Sequence, residues 1–202
     1  MHDHGHGHHK FDPKNVARLD APHRREHFPP EVYVAALAPI PGLRLADIGC
    51  GTGYFTLPVL EALRGEGTFY AVDTSAKMLD ALRERLRAHP HGARVQAVQS
   101  HESAVPLPDG CVDAVVIGAL FHELVDRAAF LAEVRRLLLP GGRLLVADWD
   151  RRPGQTGESD LGPPYEHRVP REETEATLRA AGFSAVTAHE GFRDAYLLSA
   201  RR

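Results

Sequence analysis

The 202-residue chain has few cysteines, little excess charge and no long apolar segment. Its two cysteines, Cys50 and Cys111, cannot build a disulfide scaffold and suit a reducing cytoplasm. A formal net charge of −3 gives no overall attraction to nucleic acid or to an anionic membrane. No apolar run approaches the roughly 20 residues that span a bilayer, and the amino terminus lacks a signal-peptide core. We therefore expect a cytoplasmic protein with no nucleic-acid partner and no membrane insertion.

The chain does have enough apolar sequence, 43% of its residues, to bury the core of one α/β domain. Composition divides it into a histidine-rich tail (1–10), an approach segment (11–42) and a main domain (43–202). The tail predicts a disordered segment with weak metal affinity, and a metal-handling function for it is an alternative. Its histidines are His2, His4, His6, His8 and His9. We expect no metal site in the main domain.

The approach segment contains one good helix signal. Pro29-Pro30-Glu31 places proline in a first helical turn, and the apolar spacing after it predicts a helix over 30–38 that caps the sheet edge. Three apolar side chains of the segment, Phe11, Leu19 and Phe28, either fold over a ligand as a lid or simply pack against the domain.

A glycine turn at residues 49–53 follows the first predicted strand. Residues 43–48 are apolar except for Arg44 and Asp47, glycines follow at 49, 51 and 53, and an amphipathic helix is predicted over 54–64. A buried strand that feeds a glycine turn and a helix is the nucleotide-binding corner of an open α/β sheet. The third small residue of a G-x-G-x-x-G fingerprint is missing, and there is no G-x-x-x-x-G-K-[ST], so a phosphate-cradling P-loop is excluded.

Alternating strands and helices continue to the carboxyl terminus. The second strand, 68–73, ends at Asp73, 20 residues past Gly53, where a doubly wound fold places a carboxylate that accepts both ribose hydroxyls. Thr74 or Ser75 is expected to cap the next helix. The remaining predicted helices are 76–88, 126–138 and 171–181, and the remaining predicted strands are 94–98, 113–117, 143–149, 184–189 and 193–200.

Three sequence motifs resemble those of a known family. Asp47-x-Gly49-x-Gly51-x-Gly53 closely resembles motif I of class I S-adenosylmethionine-dependent methyltransferases. Pro-Leu-Pro-Asp-Gly-x-x-Asp (106–113) and Leu-Leu-Pro-Gly-Gly-Arg-Leu-Leu-Val (138–146) are also typical of that class. The resemblance covers about residues 43–200 and is closest to the broad group of ubiquinone/menaquinone-biosynthesis-like methyltransferases. It implies a Rossmann-like, doubly wound, seven-stranded and mostly parallel α/β sheet with an antiparallel last strand.

The resemblance also implies a cofactor, S-adenosylmethionine, with S-adenosylhomocysteine as its product. An acid after strand 3 usually meets the adenine amino group in this family; this chain has His101 there, with Glu102 beside it. Either residue makes that contact, or His101 is only a surface-loop histidine. The predicted cofactor-binding residues are Asp47, Gly49, Cys50, Gly51, Thr52, Gly53, Asp73, Thr74, Met78, His101, Glu102, Ala119 and Leu120.

The acceptor side of the site is less clearly marked. His122 follows strand 4 and is the candidate general base, because its reference pKa near 6.5 suits proton transfer at neutral pH. The alternative is that His122 only shapes the pocket or begins the next helix. The residues best placed to meet an acceptor are Phe121, Trp149, Tyr165, His167 and Arg168, with Asp150 and Glu166 beside them.

The residues after strand 4 exclude one acceptor class, and the cysteines exclude two more. Amino-methylating nucleic-acid enzymes of this class carry [DN]-P-P-[YFW] after strand 4, whereas this chain has Gly118-Ala119-Leu120-Phe121. Cytosine-C5 and arsenite methylation need cysteines that this chain lacks at the required places. We expect methyl transfer to O, N or C of a small-molecule acceptor by a monomer or homodimer, and a protein acceptor is an alternative. A regulatory or scaffold protein that binds the cofactor without turnover is the alternative.

Overall fold

The computed structural model describes residues 24–152 and 162–202, which form an α/β fold built on one sheet. The predicted tail at 1–10 and the predicted lid residues Phe11 and Leu19 lie outside the described residues. In chain order the helices are α1 (Arg24–His27), α2 (Pro30–Leu37), α3 (Thr56–Ala62), α4 (Ala76–Ala88), α5 (Arg127–Leu137) and α6 (Arg171–Ala180). The strands are β1 (Arg44–Ile48), β2 (Thr68–Asp73), β3 (Val95–Gln99), β4 (Val112–Gly118), β5 (Leu138–Trp149), β6 (Ser184–His189) and β7 (Ala195–Arg201).

Within the described residues the sheet has seven strands in the order β3-β2-β1-β4-β5-β7-β6. Strands β1 to β5 pair in parallel, and β7 pairs antiparallel with both β5 and β6. This topology confirms the predicted mostly parallel sheet with an antiparallel last strand. The five parallel strands therefore end at one common edge, where β1 is flanked by β2 and β4.

Both faces of the sheet are covered, which explains why the central strands are apolar at nearly every position. Side chains alternate along β1, so Leu45 packs into the cluster beneath α2, α3 and α4, while Ala46 packs into the cluster beneath α5 and α6. No helix of the described residues is long and apolar enough to cross a membrane.

Three predictions about the elements are wrong. The helix after the glycine turn begins at Thr56, because residues 51–55 are turns, and it ends at Ala62. Strand β5 was predicted to begin at residue 143, but it begins at Leu138. Pro140-Gly141-Gly142, which was expected to end the preceding helical segment, lies within β5, where its pairing with β4 has a register irregularity. Helix α2 packs against α3, β5 and β7, so it lies on a sheet face and not on the edge.

Phe28, the one predicted lid residue that the structure describes, is fully buried in the core. Its ring meets Trp149 edge to face at 4.9 Å and Phe55 at 6.3 Å. Because the ring is locked between β5 and the segment before α3, the packing interpretation holds for Phe28.

Candidate active site at the strand ends

The glycine turn is folded tightly onto the end of β2. The Gly49 and Cys50 amides both donate to the Val72 carbonyl, at 2.8 and 3.0 Å. Gly49, Gly51 and Gly53 have φ values of 74°, 51° and 90°, in the left-handed region that favours glycine. The spacing of the three glycines is thus required by the backbone path.

Asp73 links the end of β2 to this turn through hydrogen bonds. Its Oδ2 accepts a hydrogen bond from the Gly51 amide at 2.9 Å, and its Oδ1 accepts one from the Ser75 amide at 2.8 Å. Burial raises the pKa of the Asp73 carboxyl, and these two backbone amides oppose the rise. A carboxylate has about four lone-pair sites, so the group retains capacity for further donors.

Asp47 lies deeper, at the end of β1, and is only 2% exposed. Its Oδ2 accepts a hydrogen bond from the Thr56 hydroxyl at 2.5 Å. Burial raises the pKa of the Asp47 carboxyl to about 7, and the nearby charge of Asp73 contributes to the rise. The group is therefore close to half ionised at neutral pH, and an adjacent cation would favour its charged form.

The segment after β4 closes over the glycine turn. Ala119 has a φ of 54°, and its amide donates to the Ala147 carbonyl at 2.7 Å. Leu120 packs on Gly49, where a Cβ would lie only 2.7 Å from the Leu120 Cδ2. The structure thus brings the predicted cofactor residues of the β1 and β4 ends into contact.

The other predicted cofactor residues surround this corner. Met78 is buried in the first turn of α4, and its amide donates to the capping Ser75 hydroxyl at 3.4 Å. The Thr52 carbonyl accepts from Arg85 at 3.0 Å, and the Thr74 carbonyl accepts from Gln99 at 3.2 Å. Ser75, one of the two predicted caps, is the N-cap of α4.

The two candidates for the adenine contact differ in their surroundings. His101 is exposed and forms an isolated antiparallel bridge with Ala104. Glu102 is half-buried, and its Oε1 accepts a hydrogen bond from the Val125 amide at 3.0 Å, which ties the segment after β3 to the segment after β4. Which of them meets a ligand stays a prediction.

His122 is held by a buried aspartate on β5. Its Nδ1 lies 2.7 Å from the Asp148 Oδ1, and its backbone amide donates to the Asp148 Oδ2 at 3.0 Å. The two side chains are 5% and 0% exposed, and the His122 Nε2 lies 3.8 Å from a Glu123 carboxylate oxygen. Asp148 therefore anchors both the ring and the backbone of the segment after β4.

This anchoring changes the acid–base character of His122. Burial by itself would lower the pKa of the imidazole, but the charge and hydrogen bond of Asp148, with the charge of Glu123, raise it overall. A raised pKa keeps the ring protonated to higher pH, which favours the alternative in which His122 shapes the site. Its role as a general base stays a prediction.

Replacing His122 with alanine is expected to lower the free energy of unfolding by about 2–4 kcal/mol, because the buried Asp148 would lose the imidazole and keep only the backbone amides of residues 122 and 149 as donors. Asparagine should recover part of this loss, since its amide can replace the Nδ1 donor.

The stability that the His122–Asp148 pair contributes should also depend on pH. Because the folded-state pKa of His122 is raised, the pair's contribution is fully present below about pH 6.5 and is lost as pH rises through the folded pKa. Urea denaturation at pH 6 and pH 9 measures both effects, and an alanine variant as stable as wild type at pH 6 would contradict the anchor.

The predicted acceptor residues fall into two environments. Phe121 is fully buried in the cluster beneath α5 and α6, with the Arg127 guanidinium 5.3 Å from its ring, a placement that favours packing over acceptor contact. Trp149 lies on the other face, where His27 and Arg168 pack against its ring at 5.3 and 5.1 Å.

The segment before α6 supplies the rest of the predicted acceptor side. The Tyr165 hydroxyl donates to the Arg152 carbonyl at 2.5 Å, and Tyr165 and His167 are half-buried in one 3-10 turn. Arg168 is buried, and its Nε donates to the Pro163 carbonyl at 3.2 Å. Gly162 packs on the Trp149 ring, so this segment lies beside the end of β5.

An aromatic pair beside the site has no clear signal in the sequence. Tyr33 on α2 stacks on Phe55, with ring centroids 4.1 Å apart and an interplanar angle of 25°. Tyr33 belongs to the predicted helix, but its spacing indicates only a packing face. Within the part of the chain that the structure describes, no three histidine, cysteine, aspartate or glutamate side chains are arranged to hold a metal ion.

The strand order, the glycine turn after β1 and the acid at the end of β2 define the class I S-adenosylmethionine-dependent methyltransferase fold. A family model described as "Methyltransferase domain" matches residues 46–146, half of the chain, and the chain belongs to this family.

Known proteins similar to this chain agree with that class. The ubiquinone/menaquinone biosynthesis C-methyltransferase UbiE of Hahella chejuensis is 34% identical over 110 residues, which are 54% of this chain and 44% of UbiE. The match therefore spans less than half the length of that relative. The crystal structure of an S-adenosylmethionine-dependent methyltransferase from Aquifex aeolicus is 29% identical with a TM-score of 0.83, covering 95% of this chain and 99% of that one. A Mesorhizobium loti methyltransferase structure, 21% identical with a TM-score of 0.65 over 91% and 100% of the two chains, shares the fold.

Proposed function

We propose that this chain binds S-adenosylmethionine and transfers its methyl group to O, N or C of a small-molecule acceptor. The observation that carries the proposal is the hydrogen bond from the Gly51 amide to Asp73, which links the acid at the end of β2 to the glycine turn. Asp47 lies at the start of this turn, and Leu120 packs on it. This arrangement places two carboxyl groups and a close-packed backbone turn at the carboxyl edge of a parallel sheet, where open α/β folds bind their ligands.

The charges of this corner fit the proposed cofactor better than a dinucleotide. Two acids near one glycine turn would repel a pyrophosphate, whereas they suit ribose hydroxyls and a positively charged amino group. Asp73 would hold the ribose, Asp47 the amino group, and the glycine turn the carboxylate of the methionine part. Met78, Ala119 and Leu120 would flank the adenine, with His101 or Glu102 at its amino group.

When bound, the cofactor supplies a methyl group on a positively charged sulfur, which is already a strong donor. The protein's task is to align the acceptor, which contributes at most roughly 7–11 kcal/mol, and to exclude water. The rings of Phe28, Phe55 and Trp149 pack together in the core at the end of β5, and they would keep this side of the site apolar. If the acceptor atom carries a proton, a base must take it, and His122 is the residue predicted for that step.

Methyl transfer is tested by incubating the protein with methyl-labelled S-adenosylmethionine and a low-molecular-mass fraction of a cell extract. The proposal expects S-adenosylhomocysteine to accumulate together with a labelled small product, and an Asp73→Ala variant to lose both. Binding of the cofactor without product from any fraction would favour the regulatory or scaffold alternative. Label that appears only with the macromolecular fraction would contradict a small acceptor.

Replacing Asp73 with alanine is expected to weaken S-adenosylmethionine binding by about 1.5–3 kcal/mol, the usual contribution of hydrogen bonds to a charged group. Asparagine is the matched control, because its one amide oxygen can still accept from the Gly51 amide, while the charge and the acceptor for the Ser75 amide are lost. We expect its affinity to lie between those of wild type and alanine in calorimetric titrations. An unchanged dissociation constant in the alanine variant would remove Asp73 from the ribose.

A further inference from the structure

A cavity of about 350 Å³ lies at the amino ends of β2 and β3. It is lined by two short segments, residues 64–67 before β2 and residues 90–94 before β3. The candidate active site lies at the carboxyl ends of the parallel strands, where β2 finishes at Asp73. The cavity is therefore separate from that site.

The main chain holds the two segments in place. They touch directly, because a Cβ at Gly65 would lie 2.9 Å from the His91 Cβ. The Glu66 amide donates to the Leu63 carbonyl at 2.8 Å, and the His91 amide donates to the His89 Nδ1 at 3.2 Å. The cavity is thus formed by backbone contacts and needs no ligand to shape it.

Polar side chains that line the cavity have no partner within the protein as described. Across residues 24–152 and 162–202, no hydrogen bond or ion pair is made by the side chains of Arg64, Glu66, His91 and Arg94. Arg87, an exposed arginine on the neighbouring helix α4, is by contrast paired with a glutamate one turn away. The two cavity arginines therefore remain available to a ligand.

Arg64 occupies a backbone position where arginine is unusual. It is the second residue after α3, and its φ of 49° lies in the left-handed region, where helix ends usually carry glycine or asparagine. Its side chain forms no bond among the described residues that would offset this strain. Neither the backbone nor the internal contacts account for an arginine here, whereas binding of an anion would.

The side chains of the cavity indicate the chemistry of its ligand. Arg64 and Arg94 offer planar groups of N–H donors that match the oxygens of a phosphate. Glu66 is an acceptor, and it suits hydroxyl groups on the same ligand. A volume of about 350 Å³ is at the small end of pockets that hold metabolites. A small phosphate ester with hydroxyl groups has both kinds of partner.

We propose that this cavity binds a small phosphorylated metabolite that carries hydroxyl groups, a compound of the sugar-phosphate type. Arg64 and Arg94 bind the phosphate, and Glu66 accepts hydrogen bonds from the hydroxyls. The inference is independent of methyl transfer, because it concerns the opposite end of the sheet.

Calorimetric titration with ribose 5-phosphate and, separately, with inorganic phosphate at constant ionic strength tests the proposal. Wild-type protein should bind the ester more tightly than inorganic phosphate. Arg64→Gly and Arg94→Gln should each raise the dissociation constant of ribose 5-phosphate about tenfold, the usual effect of losing a charged hydrogen bond. Glu66→Ala should reduce the preference for the ester over inorganic phosphate.

Arg87→Gln is the matched control, because it removes an exposed arginine that does not line the cavity. Its dissociation constant should stay within about twofold of wild type, as expected for a surface charge. Arg64→Gly should melt no lower than wild type, since glycine adopts the left-handed conformation freely. Ribose 5-phosphate that does not bind, or that binds equally well to both arginine variants and wild type, would overturn the inference. Equal affinity of wild type for the two compounds would overturn the assignment to an ester.

Discussion

Replacing Gly51 with valine is expected to abolish S-adenosylmethionine binding while the sheet remains folded. Gly51 has a φ of 51°, which a β-branched residue adopts only with strain of about 1–3 kcal/mol. Its amide also donates to Asp73 at 2.9 Å, so a shift of the turn would move the carboxylate proposed to hold the ribose. The new side chain would in addition stand where the ligand approaches the backbone. Calorimetry should show no binding, and far-UV circular dichroism should resemble that of wild type.

Gly141→Val separates loss of the site from backbone strain. Gly141 has a φ of 75° near the start of β5, at the opposite end of the sheet, and a Cβ there would meet nothing within 4 Å. This variant should be destabilised to a similar extent yet bind S-adenosylmethionine with wild-type affinity. Tight binding by the Gly51 variant would refute the placement of the cofactor at this turn. Loss of binding in both variants would show that backbone strain alone accounts for the loss.

Replacing Asp47 with asparagine is expected to stabilise the ligand-free protein and at the same time weaken cofactor binding tenfold or more. The carboxyl group is buried beside Thr56, and its pKa is raised to about 7, so the folded state disfavours its charge. Asparagine has the same shape and can keep the bond to the Thr56 hydroxyl, but it cannot pair with an ammonium group. The same substitution therefore has opposite effects on stability and on binding.

The pH dependence follows from the raised pKa. An unfolded aspartate ionises near pH 3.9 and Asp47 in the folded state near 7, so the folded state binds more protons between these values. The destabilisation therefore grows as pH rises from about 4 to 7 and is constant above that. We expect Asp47→Asn to match wild type near pH 4 and to exceed it by about 2 kcal/mol or more at pH 8.

Binding should show the complementary profile. Wild-type affinity for S-adenosylmethionine should increase between pH 6 and 7.5 as Asp47 ionises, and the affinity of the asparagine variant should lack this increase. Urea denaturation and calorimetry over this range measure both quantities. An asparagine variant that binds as tightly as wild type at pH 7.5 would exclude Asp47 from the cofactor site. An asparagine variant that is less stable than wild type at pH 8 would contradict the claim that the buried Asp47 carboxylate lowers the stability of the folded state.

Local chemistry explains which elements could be predicted from the sequence. Helix α4 begins and ends as predicted because Ser75 caps it and its apolar spacing is regular. The glycine turn and Asp73 were predictable because the required φ values and the spacing are encoded within 30 consecutive residues. Helix α3 was predicted two residues too early, because the turn that the glycines form extends through Phe55.

The rest of the site depends on contacts between residues far apart in the chain. Asp148 and His122 are 26 residues apart in the chain, so the sequence could not show that they are hydrogen-bonded. The sequence therefore predicted a histidine free to act as a base, whereas in the fold its ring is held by Asp148. Tyr33 meets Phe55 only because α2 packs on the sheet face. Periodicity assigns such a residue to a packing face but cannot show which ring it stacks on.

The most direct test of the account is calorimetric titration of the purified chain with S-adenosylmethionine and, separately, with NADH. The account predicts micromolar binding of S-adenosylmethionine and no binding of NADH, because the corner carries two carboxyl groups and lacks the dinucleotide fingerprint. Binding of NADH, or of neither compound, would contradict it.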